Sequence, residues 1–598
     1  MNLSGAPFRD DAPAASPARA WARALTATAR ATRNPEGILP QAVAEWAGKY
    51  GDATALIGKR DSLTFRALAA RMNQYTRWAL GEGVASGETV AVVMGNRPEL
   101  FAIWLGLIQA GAIVALIGPE IRASALTHAL KVADATRLIA AAECGDISGE
   151  AIGALDRAVE MWTHGGAELG SRRLDQAVAP LSGETLPRGE RPRVTLSDRA
   201  LRIFTSGTTG LPKAAEISHL RLVYWIHWFA GLAGLTATDR LYNCLPMHHS
   251  VGGIVAVGAP LVNGGSVAIA ERFSAHGFFE DVARFNCTAF QYIGELCRYL
   301  VAAPPAAAEK SHGLRMAIGN GLSEPVWRGF LNRFGPIRIL EFYASTEGNV
   351  SLYNVEGRIG SIGRVPPYLT LRDPIALVRV DPDQQAPARG ADGFCERCAA
   401  DEIGEALGRI GDEPGARFEG YSQRAETEKK ILRDVFAAGD AWMRTGDLMR
   451  RDADGFYYFV DRIGDTFRWK GENVATLEVE MALRACPGVM DAVVYGVAVP
   501  GAEGRAGMAL LKVDGSLDLA GLARRLEVLP RYARPIFLRL VRDIETTETS
   551  RPKRRLYAEL GLDPTRTADP LYVLDEREGY VALDADRHAA IQNGSMRF

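Results

Sequence analysis

The sequence predicts an α/β protein. A large N-terminal domain of parallel-rich sheets flanked by helices carries a small β subdomain, and a smaller, mobile α+β C-terminal domain follows. Three observations carry this expectation. From about residue 50, apolar strand-like runs alternate with helical runs. Around 370–460, short strands with Gly and Asp turns replace that alternation. Beyond 466 a shorter helix–strand pattern takes over. With 598 residues and 47% hydrophobic composition, the chain exceeds one ordinary domain.

The strand-like runs are TVAVVM (89–94), AIVALI (112–117), RLIAA (137–141), LRIFTS (201–206) and SVAIAE (266–271). Separated by helical stretches, they imply parallel strands covered by helices. DADGFYYFVDRIGD (452–465) signals a strand pair around the Asp454-Gly455 turn. The last unit reads LEVEMALRAC as helix, VMDAVVYGVAV as strands, LDLAGLARRL as helix and IFLRLV as strand. Residues 1–35, rich in Ala, Arg, Thr and Pro, read as a helical or partly disordered lead-in. The large domain then spans 36–460, a hinge 461–465 and the small domain 466–598, with Gly464 able to absorb a backbone rotation.

Net charge is −2, so no global field recruits nucleic acid or an anionic membrane. The seven cysteines are scattered and the N-terminus shows no signal peptide, which predicts a reducing, cytoplasmic setting. Cys395 and Cys398 read as two ordinary thiols, since no second pair lies at zinc-ligand spacing. His248 and His249, read as neighbours on a strand, point to opposite faces and do not share an ion; one of them suits a pocket wall. Leu100–Gly118 approaches membrane-spanning length, but Gln109 and Gly111 split it into a helix from Pro98 and a buried strand.

The densest chemical signal is TSGTTGLPK, residues 205–213. Thr205, Ser206, Thr208 and Thr209 supply hydroxyls. Gly207 and Gly210 let backbone N–H groups approach an anion, and Lys213 adds a point charge. The run follows a strand-like stretch, as a strand-end phosphate loop does, and it is not a Walker sequence because Leu211 and Pro212 precede the lysine. Four further segments suit a nucleotide. Gly319-Asn320-Gly321 lets backbone approach a flat base. FYASTEGN (342–349) sets Glu347 beside hydroxyls, where a carboxylate can hold Mg²⁺. RTGDL places Asp447 after a turn glycine, within reach of a ribose diol, and VDRIGDTFRWKGEN (460–473) offers Arg462 and a flexible Lys470-Gly471 loop.

In this order the segments resemble the adenylate-forming superfamily, and more narrowly the fatty acid transport protein / very-long-chain acyl-CoA synthetase family. The narrower resemblance rests on QYIGELCRYL (291–300), MAIGNGL (316–322), GSIGRVPPY (360–368), GDAWMRTGDLMRRD (439–452), FVDRIGDTFRWKGENVATLEVE (459–480) and DPLYVLD (569–575), and spans roughly residues 60–580. It implies an AMP-forming ligase that joins a long or very long fatty acid to coenzyme A through an acyl-adenylate, with ATP and Mg²⁺. Thr205–Lys213 would cover the phosphates. Gly319, Asn320 and Gly321 would border adenine, with Tyr343, Ala344 and Ser345 beside the nucleotide and Tyr343 stacking. Thr346 would touch the α-phosphate, Glu347 would hold Mg²⁺, and Asp447 with Arg462 would take the ribose. Gly471, Glu472 and Asn473 would belong to a loop brought in for the thioester step. His249, Val251, Gly252 and Tyr292 are candidates for the acyl-chain wall, with ordinary core as the competing reading.

One departure matters. Where the family carries a lysine that reaches the α-phosphate, Thr547-Glu548-Thr549-Ser550-Arg551 stands here, with Lys553 two residues on. An arginine keeps the charge but not the point geometry. Arg551 and Lys553 therefore both stand as candidates for the adenylation cation. Two alternatives remain beside the CoA ligase: loading of a carrier protein, or a homologue that binds fatty acid or nucleotide without adenylating. GPEIR (118–122) is a second departure. Peripheral membrane contact stays open, and oligomeric state is not written in the sequence.

Overall fold

In the computed structural model, the described residues are 16–166, 172–206, 212–370, 374–381, 384–413, 415–502, 504–547, 552–575, 577–596 and 598. Their contacts divide the chain into two compact units. One comprises residues 1–373 and 410–431, the other 374–409 and 432–598. The β-rich passage thus groups with the C-terminal body, except for an excursion at 410–431 that joins the first unit.

The first unit holds two large sheets. In the seven-stranded sheet the strands Arg172–Arg173, Glu160–His164, Arg137–Ala141, Thr89–Val93, Ile113–Ile117, Arg199–Ser206 and Pro212–Ser218 lie in that order, all parallel until the final antiparallel pair. The eight-stranded sheet runs Ser351–Asn354, Arg338–Ala344, Met316–Asn320, Ala289–Ile293, Arg240–Asn243, Ser266–Ile269, Thr54–Ile57 and Ser62–Thr64, antiparallel only at its two edges. Strands buried on both faces need apolar residues at every position, which is why TVAVV and IVALI read as unbroken hydrophobic runs.

The long apolar stretch resolves as its glycine indicated. Helix Pro98–Gln109 is buried along its whole length, Gly111 turns the chain with φ +86°, and strand Ile113–Ile117 follows. Among the described residues no helix is long and apolar enough to cross a membrane. Part of the expected lead-in is core: helix Pro17–Ala31 packs on helix His219–Ala233, with Trp21 edge-on to Trp228 and Tyr353 at 5.8 and 5.9 Å.

In the second unit, strands Ala441–Arg451 and Tyr457–Arg462 form the expected hairpin, with Gly455 at φ +83°. The C-terminal portion pairs Val489–Val497, Ala506–Val513, Phe537–Val541, Leu571–Asp575 and Gly579–Ala582 in one sheet, over helices Thr476–Arg484 and Leu519–Arg525. The expected hinge residues are tied to that portion. Asp461 accepts hydrogen bonds from the backbone and hydroxyl of Thr476. Asp465 pairs with Arg554 at 2.7 Å, and Arg554 also bridges to Glu480 at 2.6 Å. Cys395 is buried, Cys398 half-buried, and both thiols are free.

Candidate active site

In the first unit the phosphate segment runs out of strand Arg199–Ser206 and returns as strand Pro212–Ser218, with Thr205 directly opposite Lys213. Gly207, Thr208, Thr209, Gly210 and Leu211 lie outside the described residues, as does the Ser206 side chain. The two flanks therefore define the site. Lys213 Nζ pairs with Glu426 at 2.5 Å, and lies 5.8 Å from the Tyr421 ring.

The acidic segment arrives from the neighbouring sheet. Strand Arg338–Ala344 delivers Tyr343 and Ala344 at its end, and a turn through Ser345 presents Thr346 and Glu347. Thr346 Oγ1 lies 3.0 Å from Ser250 Oγ. This contact brings the turn that carries His249, Val251 and Gly252 to the reacting end of the site. The histidines are not on a strand, contrary to the sequence reading. The strand ends at Asn243, whose amide Nδ2 donates to the Gly252 carbonyl at 2.8 Å and whose Oδ1 accepts from Leu245 N at 3.2 Å, while Asn96 accepts from Met247 N at 2.8 Å. The chain is curled by these side chains, and the His248 and His249 ring centroids lie 4.3 Å apart with the planes tilted by 49°, instead of pointing apart. A one-turn π-helix, Val251–Val255, follows; such irregular turns cluster at functional sites.

Gly319 closes the end of strand Met316–Asn320, and Gly321 turns with φ +80°. Gly319 has a packing reason to lack a side chain: a Cβ there would lie 2.5 Å from the Tyr292 ring. Tyr292 is itself wholly buried and donates to Glu341, which also accepts from Leu322 N at 3.0 Å. Burial pushes the Glu341 carboxyl up to about 8. Asn320 Oδ1 is buried with no hydrogen-bond partner among the described residues. A lone acceptor at a strand end suits the exocyclic amine of a purine.

Three side chains that sequence reasoning missed hold this site. Arg221, on helix His219–Ala233, is buried and donates to the Thr346 carbonyl at 3.2 Å and to the Gly348 carbonyl, so one guanidinium brackets Glu347. Tyr421 bridges to strand Pro212–Ser218 at Ala215, and its phenol stands near Glu347 and Thr205. Burial first, then the Glu347 charge, drive that phenol's pKa upward. Glu426, in the short helix Arg424–Glu428, is the partner of Lys213. Lys430 stands 3.9 Å from Glu347.

In the second unit Asp447 and Arg462 face each other across paired strands, with Arg462 Nε 3.3 Å from Asp447 Oδ1. Glu405, fully buried, holds the bend. It pairs with Arg444 at 2.7 Å and accepts from Gly446 N at 3.1 Å, where Gly446 turns with φ +78°. Lys470 and Gly471, at φ +50° and +86°, form the tip of a hairpin between Phe467–Trp469 and Glu472–Val474; the Asn473 side chain lies outside the described residues. Arg551 also lies outside them. Lys553 pairs with Glu545 at 3.2 Å.

The site fits a Mg²⁺ that arrives with phosphate. Among the described residues no cluster of three or more His, Cys, Asp or Glu could hold a resident ion. One carboxylate beside hydroxyls is the protein share that Mg²⁺ commonly takes, with phosphate and water completing its shell.

An AMP-binding enzyme pattern matches residues 43–385, and an AMP-binding enzyme C-terminal domain matches 478–551. Long-chain fatty acid transport protein 1 of Mus musculus is 41% identical over 86% of this chain and 81% of its own length. The Homo sapiens protein of the same name is 40% identical over 90% and 84%, and long-chain fatty acid transport protein 6 of Mus musculus 38% identical over 91% and 88%. Among solved structures, the anthranilate CoA ligase AuaEII in complex with anthranoyl-AMP superposes with a TM-score of 0.73 at 22% identity, over 87% of this chain and 97% of that one. ATP-bound MatB from Rhodopseudomonas palustris superposes with a TM-score of 0.73 at 21% identity, over 87% and 98%. These structures share the fold. The protein is an AMP-binding, adenylate-forming enzyme, and the chain belongs to the family of the long-chain fatty acid transport proteins.

Proposed function

We propose that this protein is an ATP-dependent, AMP-forming ligase that converts a long or very long fatty acid to its coenzyme A thioester through an acyl-adenylate. The observation that carries the reading is the meeting of Thr205, Lys213, Thr346 and Glu347 about one charged site, in a chain 41% identical to a long-chain fatty acid transport protein. A fatty carboxylate is a poor acyl donor, because oxide is a bad leaving group. Attack on the α-phosphorus of ATP replaces it with AMP and releases pyrophosphate. Both reactants are anions, so Lys213 and the loop N–H groups offset repulsion, and Thr346 orients the α-phosphate. Mg²⁺ at Glu347, when bound, supplies further neutralisation. The CoA thiol then attacks the activated carbonyl and expels AMP.

Ribose binding at Asp447 and Arg462, adenine at Gly319–Gly321 with Tyr343, and an acyl wall beginning at His249 and Val251 belong to the same reading. Rotation at residues 461–465 would bring Gly471–Asn473 to the thioester step. Fatty-acid-dependent ATP–pyrophosphate exchange, followed by CoA-dependent release of AMP and acyl-CoA, tests it. Exchange without thioester, or transfer only to a carrier protein, contradicts it.

A further inference from the structure

The excursion at residues 410–431 is held on the phosphate site by specific contacts. Glu419 accepts from Ser218 N at 2.7 Å and pairs with Arg199 at 3.2 Å. Glu216 N donates to the Gly420 carbonyl at 3.0 Å and Ser422 N to the Ala214 carbonyl at 2.9 Å, so residues 420–422 lie against the strand that begins at Lys213. Tyr421 N and carbonyl both bond Thr427 Oγ1, at 2.9 and 3.2 Å, and this folds the next residues back toward the same strand.

Among the described residues, Lys213 and Glu347 each meet an opposite charge from that segment. Lys213 is taken by Glu426 with both side chains largely buried, at 18% and 17% exposure. Glu347 is approached by Lys430 at 3.9 Å, with the Tyr421 phenol nearby. These are the two charges that the proposed function assigns to triphosphate and its metal. A carboxylate on Lys213 and a polyphosphate on Lys213 compete for the same donors.

We propose that Glu419–Lys430 is an internal clasp that occupies the triphosphate site of the nucleotide-free protein. Glu426 holds Lys213, and Lys430 faces Glu347 beside the Tyr421 phenol, until ATP and its metal take both over. ATP therefore binds by displacement, and part of its intrinsic affinity is spent releasing Lys213. The clasp keeps the pair of charges from standing unneutralised in a half-buried site, and it makes nucleotide affinity adjustable from a segment outside the phosphate loop.

The inference rests on the nucleotide reading, and one titration separates the two. ATP binding is measured by calorimetry without fatty acid, with Mg²⁺ and with EDTA, for wild type, Lys213→Met, Glu426→Gln and Lys430→Met; ligand-free thermal unfolding verifies folding. The expected result is that Lys213→Met weakens ATP, while Glu426→Gln tightens it about fivefold, the worth of one partly exposed ion pair. That gain persists in EDTA. Lys430→Met lowers the Mg²⁺ concentration needed for tight binding. Glu426→Gln that leaves ATP affinity unchanged, or weakens it as Lys213→Met does, overturns the clasp while leaving the ATP site intact. Absence of ATP binding by wild type, or indifference to Lys213→Met, overturns the nucleotide reading instead.

Discussion

Arg221→Lys keeps a positive charge in the core but removes the fork that spans two carbonyls. Arg221 is 8% exposed, and its guanidinium lies 5.1 Å over the Trp225 ring. It donates to the carbonyls of Thr346 and Gly348, one on each side of Glu347, and Glu347 and Glu419 are the charges that steady it against desolvation. A lysine ammonium is a point donor on a differently shaped stem and cannot reproduce the planar fork that spans both carbonyls, so at least one of the two charge-assisted bonds is lost or lengthened. The loss of a hydrogen bond to a charged group is worth about 1.5–3 kcal/mol. Because Arg221 touches no reacting atom, that loss acts through the placement of Glu347. It should appear as a roughly 10–100-fold drop in kcat/KM for ATP, together with a raised Mg²⁺ requirement. Fatty-acid-dependent ATP–pyrophosphate exchange across a Mg²⁺ series measures both, with thermal unfolding run alongside. A variant with wild-type exchange and an unshifted Mg²⁺ midpoint would refute the positioning argument. A fall that tracks lost folded protein alone would refute it equally.

Asp447→Asn should weaken AMP binding about tenfold, measured by calorimetry, because a neutral amide is a poorer acceptor for ribose hydroxyls; inorganic pyrophosphate binding should be unaffected. Arg551→Ala should slow acyl-adenylate formation by about 10²–10³, and Lys553→Ala by less than about tenfold, because Lys553 is already paired with Glu545 and 42% exposed. Pyrophosphate exchange reads that step, and the reverse ranking would assign the work to Lys553. For Glu341 the folded value, about 8, lies above the ordinary 4.5. Its contribution to stability is therefore full below the ordinary value and is lost as pH rises toward 8. Glu341→Gln, which copies the neutral acid, should flatten the decline of Tm between about pH 5 and 8; an unchanged slope would contradict the assignment.

The sheets were legible because their strands are buried on both faces and leave unbroken apolar runs, as at Thr89–Val93 and Ile113–Ile117. Gly111 was legible because a positive φ after a helix selects glycine. The turn at His248–His249 was not, since it is shaped by Asn96 and Asn243, one of them about 150 residues away in sequence. Gly319 was singled out for a backbone approaching a base, yet the Tyr292 ring already forbids a side chain there; a motif glycine can answer two constraints, and the sequence displays neither partner.

The same asymmetry governs the charges. Residues that face a ligand come in short runs, because a loop must present several groups to one phosphate chain, and TSGTTGLPK and YASTEGN read as runs for that reason. Residues that position or neutralise them need only one contact each, so they come from wherever the fold brings a side chain. Arg221 reaches carbonyls 125 and 127 positions away, and Glu426 reaches Lys213 from the excursion that interrupts the second unit. An affinity set by Lys213 alone would respond only to changes in the phosphate loop. An affinity set by competition between Glu426 and polyphosphate responds to residues 419–430 as well, so substitutions there should retune ATP binding while the nucleotide motifs stay unaltered.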